Sequence, residues 1–197
     1  MRYIFDIETD GFLHTCTKVH CIVLKDIDSG EILTLDNESA IKKLEEADLI
    51  VGHNIIKFDI PVLEKLYNFD FRQKIFDTLV GTRLLYADIK DKDFSIKDFP
   101  KDCIGKHSLK AWGNRIGEYK EQIDTDFQTF TPELLEYCKQ DTEVTYKLYK
   151  VIEEKGYSQE AMDLEHEVAQ LIFKQEQHGF TFNRDKAEQL YTKLNLL

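Results

Sequence analysis

Little in this chain of 197 residues breaks it up: three prolines, nine glycines, no tract of biased composition and no internal repeat. Such a sequence excludes a proline-rich linker, a collagen-like repeat and a solenoid. Its four cysteines, Cys16, Cys21, Cys103 and Cys138, form no C-x-x-C pair, which excludes a zinc ribbon and a disulfide framework. They read as reduced, mostly buried thiols. No apolar run approaches the roughly 20 residues of a membrane span, and the N-terminus leads into a strand without the apolar core of a signal peptide. A soluble, intracellular protein with no membrane partner is expected. Basic charge is scarce too, with 26 Lys and Arg against 37 Asp and Glu and a net charge of −11. That excludes a protein that coats duplex phosphates by a basic face. It excludes much less for a site that carries its own divalent cations, which reverse the local field.

What is present is a pattern of short strands and amphipathic helices. Residues 2–8 read as a first strand ending in a turn at Thr9-Asp10-Gly11. Residues 19–25 and 31–35 read as a hairpin around Asp26-Ile27-Asp28-Ser29-Gly30. Helical spacing follows at 38–47, then a buried strand at 48–52, and Asn54 reads as the N-cap of a further helix, with Asp59 just beyond its first turn. Asp77-Thr78 opens another helix, and the charged stretch 88–106, with Asp88, Asp91, Asp93 and Asp98 among lysines, reads as a solvated surface loop. Ser108 caps a helix that stops at Gly117, Thr131-Pro132 starts a long one to about Lys155, and 159–178 is a single amphipathic helix. An extended piece at 179–183 and a helix from Arg184 complete the pattern. The order predicts an α/β domain over residues 1–157 and a C-terminal helical extension over 158–197.

Three acidic motifs stand out. Asp6 and Glu8 share a strand face, because side chains alternate with period two. Two adjacent carboxylates repel each other unless a cation sits between them. Asn54-Ile55-Ile56-Lys57-Phe58-Asp59 places an acid near a helix start; the helix dipole alone would account for that. Tyr137 and Asp141, at i and i+4, project from one face of the long helix. Each motif alone is commonplace. Together they give four carboxylates and one phenol, enough to hold two Mg²⁺ or Mn²⁺ ions for in-line phosphoryl displacement. Trp112 reads as core, and His107 as a packing or capping residue beside Ser108.

At these residues the chain resembles the DEDD exonuclease superfamily, tyrosine subclass, and in particular the proofreading domain of family-A DNA polymerases of the podovirus phage type. Supporting stretches are Asp6-Ile7-Glu8-Thr9, Thr17–Cys21, Gly52–Asn54 with Lys57–Leu63, Asp77–Leu79, His107–Gly113 and Tyr137–Thr145. Residues 163–183 resemble the segment that joins such a nuclease to its polymerase domain. The resemblance implies a ribonuclease-H-like mixed sheet flanked by helices, and 3′→5′ removal of nucleotides from a single-stranded or frayed DNA end. It implies that Asp6, Glu8 and Asp141 hold the metal beside the nucleophile, with Asp6 bridging two divalent ions. Asp59 would reach its ion mainly through water, and Tyr137 would position the attacking water. It places Thr9 and Phe12 at the terminal sugar and base, and Asn54 against the strand end. A polymerase domain in the same or another chain becomes the expected partner, and the cytoplasm (the host cell's, if phage-encoded) the expected compartment. Two other readings use the same residues: a ribonuclease-D-like RNA exonuclease, and a non-catalytic nucleic-acid-binding module that keeps the fold.

Overall fold

The computed structural model describes residues 1–70, 72–118 and 127–196. Five strands form one mixed sheet: β1 (Arg2–Thr9), β2 (Val19–Asp26), β3 (Ile32–Thr34), β4 (Leu49–Gly52) and β5 (Lys74–Asp77), in the order β3-β2-β1-β4-β5. β1, β2 and β3 are antiparallel neighbours, whereas β4 and β5 run parallel to β1. Eight α-helices accompany them among the described residues: α1 (Asn37–Glu45), α2 (Asp59–Tyr67), α3 (Thr78–Leu85), α4 (Ile89–Asp93), α5 (Leu109–Ile116), α6 (Pro132–Lys155), α7 (Gln159–His178) and α8 (Arg184–Leu194).

The pleat of β1 sorts its side chains between two layers. Tyr3, Phe5 and Ile7 pack with Ile22 and Leu24 of β2 against Ala40, Ile41 and Leu44 of α1 and Ile60 and Leu63 of α2. Ile4 turns the other way, with Val51 and Phe76, onto Trp112 of α5 and Val144, Leu148 and Ile152 of α6. Each such aliphatic side chain taken from water contributes about 1.5–3 kcal/mol, so both layers are anchored at β1. Side-chain caps fix the helix starts: Ser108 accepts from the Ala111 N–H, Thr131 from Leu134, Ser158 from Ala161 and Asn183 from Lys186. Gly117 ends α5 in the left-handed conformation, φ 75°.

The expected mixed sheet, the 19–35 hairpin and the four C-terminal helices are all present. Three readings need correction. β5 lies where the sequence suggested only a helix opening: Lys74-Ile75-Phe76-Asp77 is too short and too mixed to show a period of its own. Asn54 does not cap a helix. It sits at φ 67°, α2 begins only at Asp59, and its cap residue Phe58 makes no side-chain cap hydrogen bond. The turn over 53–58 takes the chain out of helix because its N–H groups are drawn to Asp77. Finally, the 88–106 stretch is not a solvated loop throughout. It contains α4, and Asp93 is buried against Arg115, whose Nε and Nη2 each donate to it at 2.8 Å, while the Gly105 N–H adds a third bond.

Candidate active site

On β1 the residues that alternate with the apolar ones, Asp6 and Glu8, face α6. They stand opposite Val23 and Cys21 of β2 in the antiparallel register, and a bulge after Glu8 ends the regular pairing. Asp6 is half-buried and Glu8 buried. From α6, the Cys138 thiol reaches Asp6, donating toward its backbone oxygen at 3.4 Å and its Oδ2 at 3.5 Å. Donor atoms of Asp6, Glu8 and Cys138 lie within 4.8 Å of one another, close enough to share one ion. Cys138 also contacts Cys21, and burial pushes its thiol well above the usual range.

Asp59 enters from β4. Gly52 ends that strand where a side chain would strike Ile55 at 2.2 Å and Phe5 O at 3.0 Å, so only glycine lets the chain turn so tightly. The turn is then held by Asp77 at the end of β5. Its Oδ1 accepts from Asn54 N at 2.8 Å and Leu79 N at 2.9 Å, and its Oδ2 from Ile56 N at 3.1 Å. Asp59 is thereby fixed at the first position of α2, 4% exposed. Burial drives its carboxyl up to about 7, and the charges of Asp77 and Asp141 push the same way against the N–H groups of Asp59 and Ile7. A carboxylate so disfavoured as a bare anion is what a divalent cation relieves.

The i, i+4 relation holds on α6. Asp141 is buried and within electrostatic reach of Asp59, and Tyr137 is half-buried, its ring edge-on to Phe127 at 6.3 Å between centroids. Asp6 and Glu8 thus face α6 from β1, α6 carries Asp141 with Tyr137 one turn away, and Asp59 stands at the start of α2 within electrostatic reach of Asp141. Oxygen donors of this kind suit hard ions such as Mg²⁺ or Mn²⁺, and the residues present fit such a group.

Beside the acids lies a cleft of about 400 Å³ lined by Glu8, Thr9, Phe12, Phe58, Phe127 and Gln128. Phe12 is 82% exposed at its mouth, while Thr9 is buried and its hydroxyl donates to Gly11 O at 2.8 Å. Asn54 gives its backbone N–H to Asp77 at the turn between β4 and α2. Sequence reasoning missed Asp77 as the brace of the Asp59 turn, and Phe58, Phe127 and Cys138 as walls of the site. Only an acid directly before a helix-opening Thr signalled the first; nothing local marks the others.

Comparisons with known proteins agree with this fold. Residues 3–153 match the family model described as the RNase_H superfamily. The DNA-directed DNA polymerase of Escherichia phage T7 is 32% identical over 97% of this chain, which spans 35% of the polymerase's length. Among solved structures, Brucella melitensis NrnC bound to pGG superposes with a TM-score of 0.57 at 18% identity, covering 88% of this chain and 80% of that one. An NrnC structure with bound Mg²⁺ is similar at a TM-score of 0.54 and 17% identity, over the same shares of the two chains. Escherichia coli RNase D, titled an exoribonuclease involved in structured RNA processing, gives 0.54 at 17% identity over 87% of this chain and 44% of that one. With a mixed five-stranded sheet of this order, an acid pair on its central strand and a family match over most of its length, the chain belongs to the RNase_H superfamily, as a nuclease domain of the exonuclease type.

Proposed function

We propose that this domain removes nucleotides one at a time from DNA 3′ ends, taking a single-stranded or frayed end, by metal-dependent phosphodiester hydrolysis. The observation that supports it best is the acid pair Asp6 and Glu8 on β1 facing α6, with Asp59 buried where a bare anion is costly and within electrostatic reach of the buried Asp141. A pair of Mg²⁺ or Mn²⁺ ions supplies, when bound, activation of a water and charge at the leaving oxygen. Asp6, Glu8 and Asp141 would hold the ion nearer the nucleophile, with Asp6 shared and Asp59 serving the second. Tyr137 orients the attacking water through its phenol. The cleft beside Thr9 and Phe12 takes the terminal nucleotide, with Phe12, Phe58 and Phe127 offering apolar faces to the base. Residues 1–157 would be the nuclease domain, and 158–197 an extension toward a polymerase domain.

DNA is favoured over RNA because the sequence likeness is to a DNA polymerase, whereas the likeness to RNase D and NrnC is one of fold. The test is cleavage of 5′-labelled oligonucleotides of one sequence, as DNA and as RNA. Expected are a ladder shortening from the 3′ end, faster on DNA, silent in EDTA, and lost in Asp6→Ala/Glu8→Ala. Internal cuts, or retention of more than about a hundredth of the rate in the double variant (a barrier change under roughly 2.7 kcal/mol), would refute the reading.

A further inference from the structure

Residues 53–58, which carry Asp59 to the site, form a turn outside both β4 and α2. Two sets of contacts fix it. The first comes from the β5–α3 junction. Besides the Asp77 carboxylate, Thr78 Oγ1 donates to Gly52 O at 3.1 Å and lies 2.9 Å from His53 Nδ1. The second comes from α7. His166, buried, accepts the Asp77 backbone N–H on Nε2 at 2.7 Å, and its Nδ1 lies 2.8 Å from Met162 O. A carbonyl cannot donate, so Nδ1 carries the proton and Nε2 is the acceptor. Further along α7, Glu176 meets Lys57 Nζ with both carboxylate oxygens, at 2.7 and 2.6 Å. Between these two attachments a cleft of about 250 Å³ separates α2 from α7, lined by Ile56, Ile60, Pro61, Gln170 and Phe173. The turn is therefore joined to α7 through a few polar contacts on either side of an open space, and not by continuous packing.

From this arrangement we infer that α7 is a positioning element of the hydrolytic site. His166, acting through Asp77, and Glu176, acting through Lys57, set the 53–58 turn and with it the Asp59 carboxylate. Asp77 gives its backbone N–H to His166, and its carboxylate accepts two N–H groups of the turn, from Asn54 and Ile56, and one from Leu79 of α3. A shift of α7 is thus transmitted to Asp59 through two hydrogen-bonded steps. The inference rests on the reading of Asp59 as a metal ligand. It adds that occupancy of that metal depends on a helix that supplies none of the four carboxylates.

The experiment is a Mn²⁺ titration, by calorimetry and by rate, on the full chain. His166→Ala should raise the Mn²⁺ concentration for half-maximal rate about tenfold, the lower end of what losing an outer-shell partner costs. KM for the oligonucleotide should stay within about twofold, and saturating Mn²⁺ should return the rate to within about threefold, because the cleft and Tyr137 are untouched. His166→Gln, whose Oε1 can accept the same N–H, should recover most of the loss. Glu176→Gln should shift the requirement about threefold, as befits a half-exposed ion pair. Leu44→Ala, in α1, lowers the melting temperature from the same apolar layer as α2 while leaving the His166, Asp77 and Lys57 contacts in place, and so serves as the control for a general loss of stability. An unchanged Mn²⁺ requirement in His166→Ala, or an equal shift in Leu44→Ala, overturns the inference. Should His166→Ala fail to fold, an unchanged requirement in both His166→Gln and Glu176→Gln overturns it. Wild-type protein that binds no Mn²⁺ overturns the metal-ligand reading instead, so the two failures are distinguishable.

Discussion

Replacing Asp59 by Asn should make the metal-free protein more stable, by an amount that depends on pH. In the folded chain the carboxyl titrates at about 7, against an ordinary value of 3.8. The difference corresponds to about 4 kcal/mol of unfavourable ionisation. Below pH 3.8 the group is protonated in both states and contributes nothing. As pH rises from there to about 7, the unfolded chain has released its proton while the native state still holds it, so stability falls. Above about 7 the full penalty remains. The Asp59→Asn side chain keeps the shape without the charge, so in EDTA at pH 8 the variant should gain up to about 4 kcal/mol. At about 2–4 °C per kcal/mol for a chain of this size, that is a rise of roughly 8–16 °C in Tm. Calorimetry at pH 4, 6 and 8, with EDTA and with saturating Mn²⁺, checks it. The gap should nearly close by pH 4, and Mn²⁺ should shrink or invert it, since the ion binds and stabilises only the intact acid set. Equal melting temperatures at pH 8 in EDTA, or a gap indifferent to both pH and Mn²⁺, would refute the reasoning.

Tyr137→Phe should lower kcat about 10–1000-fold while leaving Mn²⁺ affinity near wild type, whereas Asp141→Asn should weaken both; single-turnover kinetics with metal titration separates them, and equal affinity losses would make Tyr137 a ligand or a prop. Arg115→Ala should cost about 3–5 kcal/mol in denaturant unfolding, because it strands the buried Asp93 carboxylate, and a loss under about 1 kcal/mol would mean that water reaches the pair.

Elements with a long period or an explicit cap were legible in the sequence. The 24 residues of α6 carry a Thr cap, a Pro in the first turn and apolar positions at helical spacing, so its limits could be set almost to the residue. The same regularity made Tyr137 and Asp141 readable as one face. Failures came where tertiary contacts override local signals. Asn54 has the chemistry of a helix cap, yet a carboxylate 23 residues away takes its N–H and that of Ile56. Asp93 sits among lysines, yet Arg115, 22 residues on, draws it inside. Neither partner is visible from a window of sequence. β5 was lost for the opposite reason, being four residues long with only Phe76 and Asp77 buried.

The alternation of β1 has a genetic consequence. Between Ile4 and Glu8 the strand interleaves two messages, one for folding and one for chemistry, at alternate codons. Deleting one residue there would turn every later side chain to the opposite face. The Asp6 and Glu8 carboxylates would then point at α1 and α2, into the layer Phe5 and Ile7 now fill, and those apolar side chains would occupy the site. Substitutions can alter either message separately; a length change must corrupt both at once. Unless a bulge absorbs the change, as the one after Glu8 already does, the length of this stretch should be held more rigidly than its composition.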